Sequence, residues 1–416
     1  MSVASLLYGL LLALVAGATA FSGIALYGVF RFLKNSRDLA RRTAAGGYTP
    51  PVSLLKPLYG LDRELEENLE SFFRQDYPCY EILCSVREET DPAVAVVRRL
   101  QEKYPAVPVR LLLTGQPPYL NAKVHGMEAL LEAAAHEVLV INDSDVRAAP
   151  GYLRSVVAPL AETMQGMTVG PSAAPPVGMV TCISRGVPGR SLWSLLEALS
   201  MSLQFVAGVL AAAVTEGIQF SLGPTMVIRK ATVNQIGGFR RLADYLADDF
   251  VLGQLVAEAG YRVVLAPAIP DHLVCNESFA DSLRHRLRWE RSSRRSRPAG
   301  YLGQVFTHGL PLALVAWALA PAGNALALPL VAACLTMRTL LAWAVGWRLL
   351  RDPAFRAYWW LLPLQDILSF LIWLWAFFGG EIEWRGTRFR VLRGGKLERV
   401  DTGGSVRSAI KAGSTE

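Results

Sequence analysis

Asp143 and Asp145 stand two positions apart, directly after the apolar run 138–142. Paired carboxylates suit a hard divalent cation such as Mg²⁺, which proteins hold with one or two carboxylates plus substrate phosphates. A short Asp-x-Asp sequence also occurs in solvated turns and helix caps. Its position at the end of an apolar strand favours a binding site, because ligands of parallel sheets bind at that end.

Further acidic residues occupy comparable positions. Asp248 and Asp249 open an apolar helical stretch, and Glu88 and Asp91 follow the strand-like run 80–86. A carboxylate close to a reacting hydroxyl can take its proton as a general base. All three acidic groups are therefore candidates for one chemical site.

A basic segment precedes the C-terminal apolar part of the chain. Its seven arginines are Arg284, Arg286, Arg288, Arg291, Arg294, Arg295 and Arg297. On a helix, His285 and Trp289 lie one above the other, and arginine forks suit a pyrophosphate. The run also fits a basic belt beside anionic lipid headgroups. A nucleic-acid partner is disfavoured, because the run abuts an apolar segment and no nucleic-acid-binding module is recognisable.

The segments that carry these side chains alternate between strand and helix patterns. Strand-like runs lie at 51–57, 80–86, 109–113 and 137–142, and helical runs lie between them at 61–75, 91–104 and 122–135. Such alternation predicts βαβ units, and hence an α/β domain with a mostly parallel sheet. Groups that follow the strands are expected to meet at one edge of that sheet.

The composition places this domain at a membrane. Of the 416 residues, 52% are hydrophobic and only 19% are charged, with a net charge of +7, whereas soluble domains carry roughly a quarter charged residues. Residues 2–30 and 298–337 have no charged side chain. This excludes a plain soluble enzyme, a disordered chain and a disulfide scaffold. The ordinary charge of residues 49–297 excludes a wholly membrane-buried transporter.

Four parts are expected along the chain. They are an N-terminal transmembrane anchor (1–34), a cytoplasmic α/β domain (49–297) with interfacial helices at about 190–222 and 280–297, three transmembrane helices within 301–379 (about 301–321, 324–347 and 357–379), and a basic tail (380–416) with a disordered end. Basic residues after the first segment place the N-terminus outside. Three later crossings would put the tail outside, whereas its arginines favour the cytoplasm. Either one segment is re-entrant or interfacial, or the tail breaks the charge rule.

Several short motifs occur together in a family-like order. They are Lys56-Pro57-Leu58, Asp91-Pro92, Asp143-Ser144-Asp145, Asp248-Asp249, His285-x-x-Arg288-Trp289 and Trp384-Arg385-Gly386. Over about residues 54–393 the chain resembles the ceramide glucosyltransferase family, which are membrane-bound inverting enzymes with a GT-A nucleotide-sugar domain. The details look closest to the bacterial branch that includes hopanoid-biosynthesis enzymes. His285 departs from the eukaryotic ceramide enzymes, which carry Arg at this position, whereas the bacterial branch tends to have His there.

The resemblance implies a role for each candidate residue. Asp143 and Asp145 would hold Mg²⁺ or Mn²⁺ against the donor diphosphate, and Asp249 would be the catalytic base. Donor or nucleotide contacts would come from Lys56, Glu88, Asp91, Lys123, Asp143 and Arg288. The acceptor would meet Trp289, His285 and Asp248.

The reaction implied is transfer of a sugar, glucose in the first instance, from a UDP-sugar to a hydroxyl of a membrane lipid such as ceramide, with inversion. The alternative acceptor is a hopanoid polyol, with UDP-N-acetylglucosamine as donor. A processive polysaccharide synthase would show Gln-x-x-Arg-Trp and more C-terminal spans, and a non-enzymatic scaffold would have lost the acidic residues.

The enzyme implied is a multi-pass protein of the bacterial inner membrane, with the UDP-sugar, the lipid acceptor and the bilayer as partners and no nucleic acid. The sequence indicates no oligomeric state. His125, His136 and His272 lack partner spacing and are interpreted as structural or surface residues.

Overall fold

A seven-stranded sheet forms the centre of the α/β domain. A computed structural model of the chain describes residues 3–44, 47–162, 175–321, 324–325 and 327–400. The strands up to the end of this domain are β1 (Val52–Pro57), β2 (Tyr80–Val86), β3 (Val109–Leu113), β4 (Val138–Ile141), β5 (Val146–Arg147), β6 (Val177–Thr181), β7 (Arg185–Pro188), β8 (Met226–Arg229), β9 (Arg262–Leu265) and β10 (Asp271–Val274). The central sheet has the order β3-β2-β1-β4-β8-β6-β9, and a smaller sheet has the order β5-β10-β7.

Only β8 runs antiparallel to its neighbours in the central sheet, β4 and β6. The other pairs are parallel. A mostly parallel α/β domain, expected for a GT-A fold, is therefore confirmed. The strands β1 and β4 are buried on both faces, which explains the unbroken apolar sequence of β4, while β1 also buries Ser53 and Lys56.

Helices cover both faces of the sheet and continue into the apolar parts of the chain. They are α1 (Val3–Ala44), α2 (Leu65–Phe73), α3 (Ala93–Lys103), α4 (Ala122–Ala133), α5 (Tyr152–Val157), α6 (Leu192–Thr215), α7 (Lys230–Gln235), α8 (Asp248–Glu258), α9 (Phe279–Ser296), α10 (Pro298–Gly303), α11 (Gly309–Ala318), α12 (Ala327–Leu349) and α13 (Pro353–Trp375). One core cluster joins α2 and α3 to the sheet. A second joins α4 and α8 to its other face.

A third sheet follows the last helix. Its strands, β11 (Glu381–Trp384), β12 (Thr387–Val391) and β13 (Leu397–Arg399), form an antiparallel meander. We call residues 381–399 the C-terminal hairpin sheet. Its apolar face packs on Leu246 and Leu120 of the α/β domain, and the Leu397 amide donates a hydrogen bond to the Asp244 carbonyl at 2.7 Å. This part of the basic tail is thus docked onto the domain.

Four described helices are long and apolar enough to cross a membrane, by length and composition. They are Ser5–Arg41 within α1, α6, α12 and α13. The segment expected to span at 301–321 is not one continuous helix but consists of α10, a 3₁₀ turn (Gln304–Thr307) and α11. Residues 322–323, between the first two of the three expected C-terminal helices, lie outside the described residues, and so does the end of the tail (401–416) that was expected to be disordered.

The apolar helices pack against one another through a few specific contacts. Gly28 of α1 lies so close to α6 that a Cβ there would meet the Leu210 carbonyl oxygen at 2.7 Å. Arg338 of α12 and Asp366 of α13 form a buried ion pair with two contacts of 2.8 Å. Asp366 is costly to bury alone, and this partner explains its presence in an apolar helix.

Candidate active site

The carboxyl ends of β1 and β4 place the first acidic pair. These strands are parallel neighbours, so the residues that follow them lie side by side at the same edge of the sheet. Lys56 stands near the end of β1, is 1% exposed, and lies with its Nζ 3.4 Å from the centre of the Phe72 ring. Its ammonium donates to the Asp143 carbonyl at 3.2 Å. Lys56 therefore supports the Asp143 loop from beneath.

Lys123 links the two acidic motifs. Its Nζ lies 2.8 Å from Asp143 Oδ1 and 3.0 Å from Asp248 Oδ2. Asn121 caps α4 by accepting from the Lys123 and Val124 amides, which fixes Lys123 in the first turn. Burial opposes the charge on Lys123, but the carboxylates of Asp143, Asp248 and Asp249 outweigh that cost and raise its pKa.

Asp145 pairs with a histidine that the sequence pattern did not identify. His272 Nε2 lies 3.2 Å from Asp145 Oδ2, because His272 on β10 stands opposite Val146 of β5. Burial would raise the pKa of Asp145, but His272 outweighs burial and lowers it. The other carboxylate oxygen of Asp145 is buried without a hydrogen-bond partner among the described residues. His272 thus belongs to the site, and its interpretation as a structural or surface residue was incomplete.

Asp249 faces Asp143 across Gly223. Its Oδ2 accepts from the Gly223 amide at 2.7 Å. A Cβ built on Gly223 would lie 2.5 Å from Asp143 Oδ2 and 3.2 Å from Asp249 Oδ2. Burial, then the neighbouring charge of Asp248, raises the pKa of Asp249 to about 6. A carboxylate with this pKa can hold a proton near neutral pH.

Helix α9 brings the basic segment to the same site. Ser278 caps its first turn by accepting from the Asp281 amide at 3.1 Å. His285 Nδ1 donates to Glu197 of α6 at 2.5 Å, and the His285 and Trp289 rings lie 5.0 Å apart, as their spacing predicted. Trp289 also lies 6.3 Å from the His272 ring.

The Arg288 guanidinium makes no hydrogen bond or ion pair with any described residue. Burial, then the nearby Arg385 charge, lowers its pKa, while Glu197, Asp145 and Asp143 oppose that shift. An unpaired arginine close to two aspartates suits a ligand that carries its own negative charge.

The acidic residues that follow β2, Glu88 and Asp91, lie further along the edge of the sheet. Both Asp91 carboxylate oxygens accept from the Gly60 amide, at 3.1 and 3.0 Å, and Oδ1 also accepts from the Ala93 amide. Asp91 thereby ties the loop after β1 to the start of α3. Glu88 lies on the surface and accepts from Gln116 at 2.8 Å.

Sequence reasoning also gave no role to three residues that lie near the site. Glu197 is a carboxylate in an otherwise apolar helix, which is a signal that could have been used. Gly223 carries no local signal, since its importance comes from two aspartates, Asp143 and Asp249, that are far from it in sequence and close to it in space. Arg385 was quoted only as part of a motif and given no role.

The acidic pair fits a divalent cation. The unpaired oxygen of Asp145 and the Asp143 Oδ2 are hard donors, and Mg²⁺ commonly takes only one or two carboxylates. Among the described residues, no cluster of three or more His, Cys, Asp or Glu side chains has the geometry of a complete metal site. The remaining ligands would have to be phosphate and water.

The family model Glycosyl transferase family 21 matches residues 11–397. The chain belongs to this family. It is 27% identical to ceramide glucosyltransferase 1 of Caenorhabditis elegans over 219 residues, which is 52% of this chain and 44% of the relative. It is 35% identical to the ceramide glucosyltransferase of Komagataella phaffii over 142 residues, 32% of this chain and 27% of the relative. The chain thus spans half or less of the length of these relatives.

Two solved structures superpose on this family 21 chain with low TM-scores. A mannosyltransferase of Pyrobaculum calidifontis, in complex with GDP-Man and Mn²⁺, has a TM-score of 0.42 and 22% identity, covering 87% of this chain and 99% of that one. TarS 1–349 of S. aureus, in complex with UDP-GlcNAc, has a TM-score of 0.38 and 15% identity, covering 84% and 100%. The resemblance to ceramide glucosyltransferases is confirmed at the level of the family. Assignment to the hopanoid branch stays a prediction.

Proposed function

We propose that this chain transfers glucose from UDP-glucose to a hydroxyl of a ceramide-like membrane lipid, with inversion. The observation that carries the proposal is the joined set of Asp143, Lys123, Asp248 and Asp249 beside the unpaired Arg288. This set combines Asp249, a base with a pKa of about 6, with the guanidinium of Arg288, whose positive charge suits a diphosphate. Family membership and the named activity of the relatives support the sugar and the lipid.

Each residue has a distinct part in this reaction. The acceptor oxygen forms a bond to the sugar C1 while the bond from C1 to the phosphate oxygen breaks, and UDP leaves as an anion. Asp249 takes the acceptor proton. Arg288 stabilises the charge that develops on the leaving diphosphate. His285 and Trp289 line the acceptor side. Lys123 pairs with the carboxylates of Asp143 and Asp248 and so holds both in position.

Asp143 and Asp145 would hold a divalent cation, which would supply positive charge beside the diphosphate. His272 fixes one oxygen of Asp145 and leaves the other for that cation. Lys56 and Asp91 act by fixing the loops after β1 and β4, and Glu88 would lie at the nucleotide end.

The acceptor has to reach this site from a bilayer. Helices α6 and α9, which carry Glu197, His285 and Trp289, are also those that contact α1 and α13. We propose that these helices lie at the cytoplasmic face of a bacterial inner membrane, so that a lipid hydroxyl reaches Asp249 without leaving the bilayer surface.

The test is product analysis with Asp249→Asn. Purified protein is supplied with a panel of UDP-sugars, divalent cation, and ceramide or hopanoid acceptors, and products are identified by mass spectrometry. Asp249→Asn should lower transfer about 10²- to 10⁴-fold and leave UDP binding near that of the unaltered protein. Asp76→Asn is the matched control, because Asp76 is exposed and its carboxylate pairs with Arg154 rather than with any residue of the proposed site. Retained transfer in Asp249→Asn would rule out its role as base, and a hopanoid product would replace the proposed acceptor.

A further inference from the structure

The C-terminal hairpin sheet reaches the active site through one turn. Trp384 pairs with Thr387 across β11 and β12, so Arg385 and Gly386 form a two-residue loop. Both have left-handed backbone, with φ of 51° and 75°, as a type I′ hairpin turn requires. Glycine or asparagine adopts this backbone most readily, so an arginine at the first position is strained.

Arg385 lies beside the loops that follow β1 and β2. Its guanidinium lies 4.6 Å from the centre of the Tyr59 ring, which follows β1. Arg87, which follows β2, lies 5.0 Å from the same ring. Arg385 remains accessible at the surface. It is also close enough to lower the pKa of Arg288.

The guanidiniums of Arg87, Arg288 and Arg385 make no hydrogen bond or ion pair with any part of the chain that the structure describes. Some other arginines nearby do have partners. For example, Arg294 donates to the Phe377 carbonyl, and Arg390 of the hairpin sheet pairs with Glu381 at 3.1 Å. Arg385 lies close to both Arg87 and Arg288, with the Asp62 and Asp143 carboxylates also near it. A polyanionic ligand would offset the repulsion between these guanidiniums.

The hairpin sheet is held firmly where it is. The Leu246 amide donates to the Gly395 carbonyl, and the Gly394 amide donates to the Arg295 carbonyl. Arg291 of α9 donates to the Glu381 carbonyl at 2.6 Å. These contacts hold the end of the sheet opposite the Arg385-Gly386 turn between Leu246 and the basic helix.

We propose that Arg385 is a donor-binding residue. The C-terminal hairpin sheet completes the active site by placing its guanidinium, with Arg87, on the phosphate groups of the nucleoside diphosphate opposite Arg288. This rests on the proposed function, since it takes a UDP-sugar as the donor. It also gives the C-terminal hairpin sheet a function beyond docking on the α/β domain.

The strained turn provides a sharp test. Arg385→Gly removes the guanidinium and relaxes the backbone, so it should keep or raise the melting temperature. Binding of UDP and of uridine is measured by calorimetry on the full-length protein in detergent with Mg²⁺. Arg385→Gly should weaken UDP binding at least about tenfold and leave uridine binding unchanged. Arg385→Lys should recover part of the loss. Arg390→Ala, which removes the same charge from the same sheet, should bind UDP normally.

The outcomes separate this inference from the proposed function. If the unaltered protein binds no UDP, the proposed donor is wrong and Arg385 loses its role with it. If that protein binds UDP and Arg385→Gly binds it equally well, only the role of Arg385 is overturned. An equal loss of UDP and uridine binding would also overturn it, because contact with the phosphates requires a selective loss.

Discussion

The reactivity of single residues in this site is set by buried neighbours. Asp249 has a raised pKa, to about 6, because it is buried and then because the Asp248 charge lies beside it. Lys123 opposes this shift, and Asp143 adds to it. A base must be ionised to accept a proton, so activity should follow the ionised fraction of Asp249.

We therefore expect kcat/KM to fall about tenfold per pH unit below a pH of about 6 and to level off above it. Asp248→Asn removes one of the charges that raise the pKa of Asp249, so the acid limb should move to lower pH in that variant. The measurement is the pH profile of transfer with stability checked at each pH. A profile that is flat between about pH 5 and 8, or an unmoved limb in Asp248→Asn, would contradict Asp249 as the base.

The sequence predicted the residues whose signals are local. Asp143 and Asp145 follow an apolar strand, and His285 and Trp289 stand four apart on a helix, so their contacts arise from nearby spacing. His272 and Glu197 could not be found this way. Their partners, Asp145 and His285, lie more than 80 positions away in the chain. Only the pairing of β10 with β5 and the packing of α6 on α9 bring them together.

At the level of elements, the loop from α6 to β8 matters more than its sequence indicates. Gly223 in this loop allows the Asp143 and Asp249 carboxylates to approach one point. The sequence predicted the strand and helix that carry these aspartates. It did not predict that a third segment must pass between them without a side chain.

Gly223→Ala should therefore damage the site more than the fold. The added methyl group would lie 2.5 Å from Asp143 Oδ2, so that carboxylate must move. A displacement of about 1 Å commonly costs about a hundredfold in rate, and we expect a loss of that order in kcat with a modest fall in melting temperature. Gly208→Ala in α6 is the control, because a Cβ there meets nothing within 4 Å. Equal activity in the two variants would show that the close approach at Gly223 is unimportant.

At the level of the whole molecule, the contacts of the apolar helices suggest which of them cross the bilayer. Asn324 donates to the Tyr8 hydroxyl at 2.9 Å, near the start of α1 and far from the α/β domain. After α12 the chain returns to the domain, where Arg185 donates to the Leu350 carbonyl. The α12 helix has 23 residues, or about 35 Å, which exceeds a hydrocarbon core of about 30 Å.

Both ends of α13 lie on the side of the α/β domain. Its start follows the contact of Arg185 with Leu350, and just beyond its end Arg294 donates to the Phe377 carbonyl at 2.7 Å. The same holds for α6, which lies between β7 and the Gly223 loop. We therefore propose three crossings, namely α1, the 298–318 segment and α12, with α6 and α13 at the interface. This reconciles the N-terminus outside with a basic tail in the cytoplasm.

This topology predicts which positions a membrane-impermeant maleimide reaches in intact cells. Cys79 is exposed on the α/β domain and should react only after permeabilisation. In a Cys79→Ser background, Ala325→Cys should react in intact cells, because it lies between the second and third crossings. Arg388→Cys in the hairpin sheet should behave like Cys79. Labelling of Arg388→Cys in intact cells would mean that α13 crosses the bilayer. The hairpin sheet could then not dock on the domain, and the contact of Leu397 with Asp244 would be lost with it.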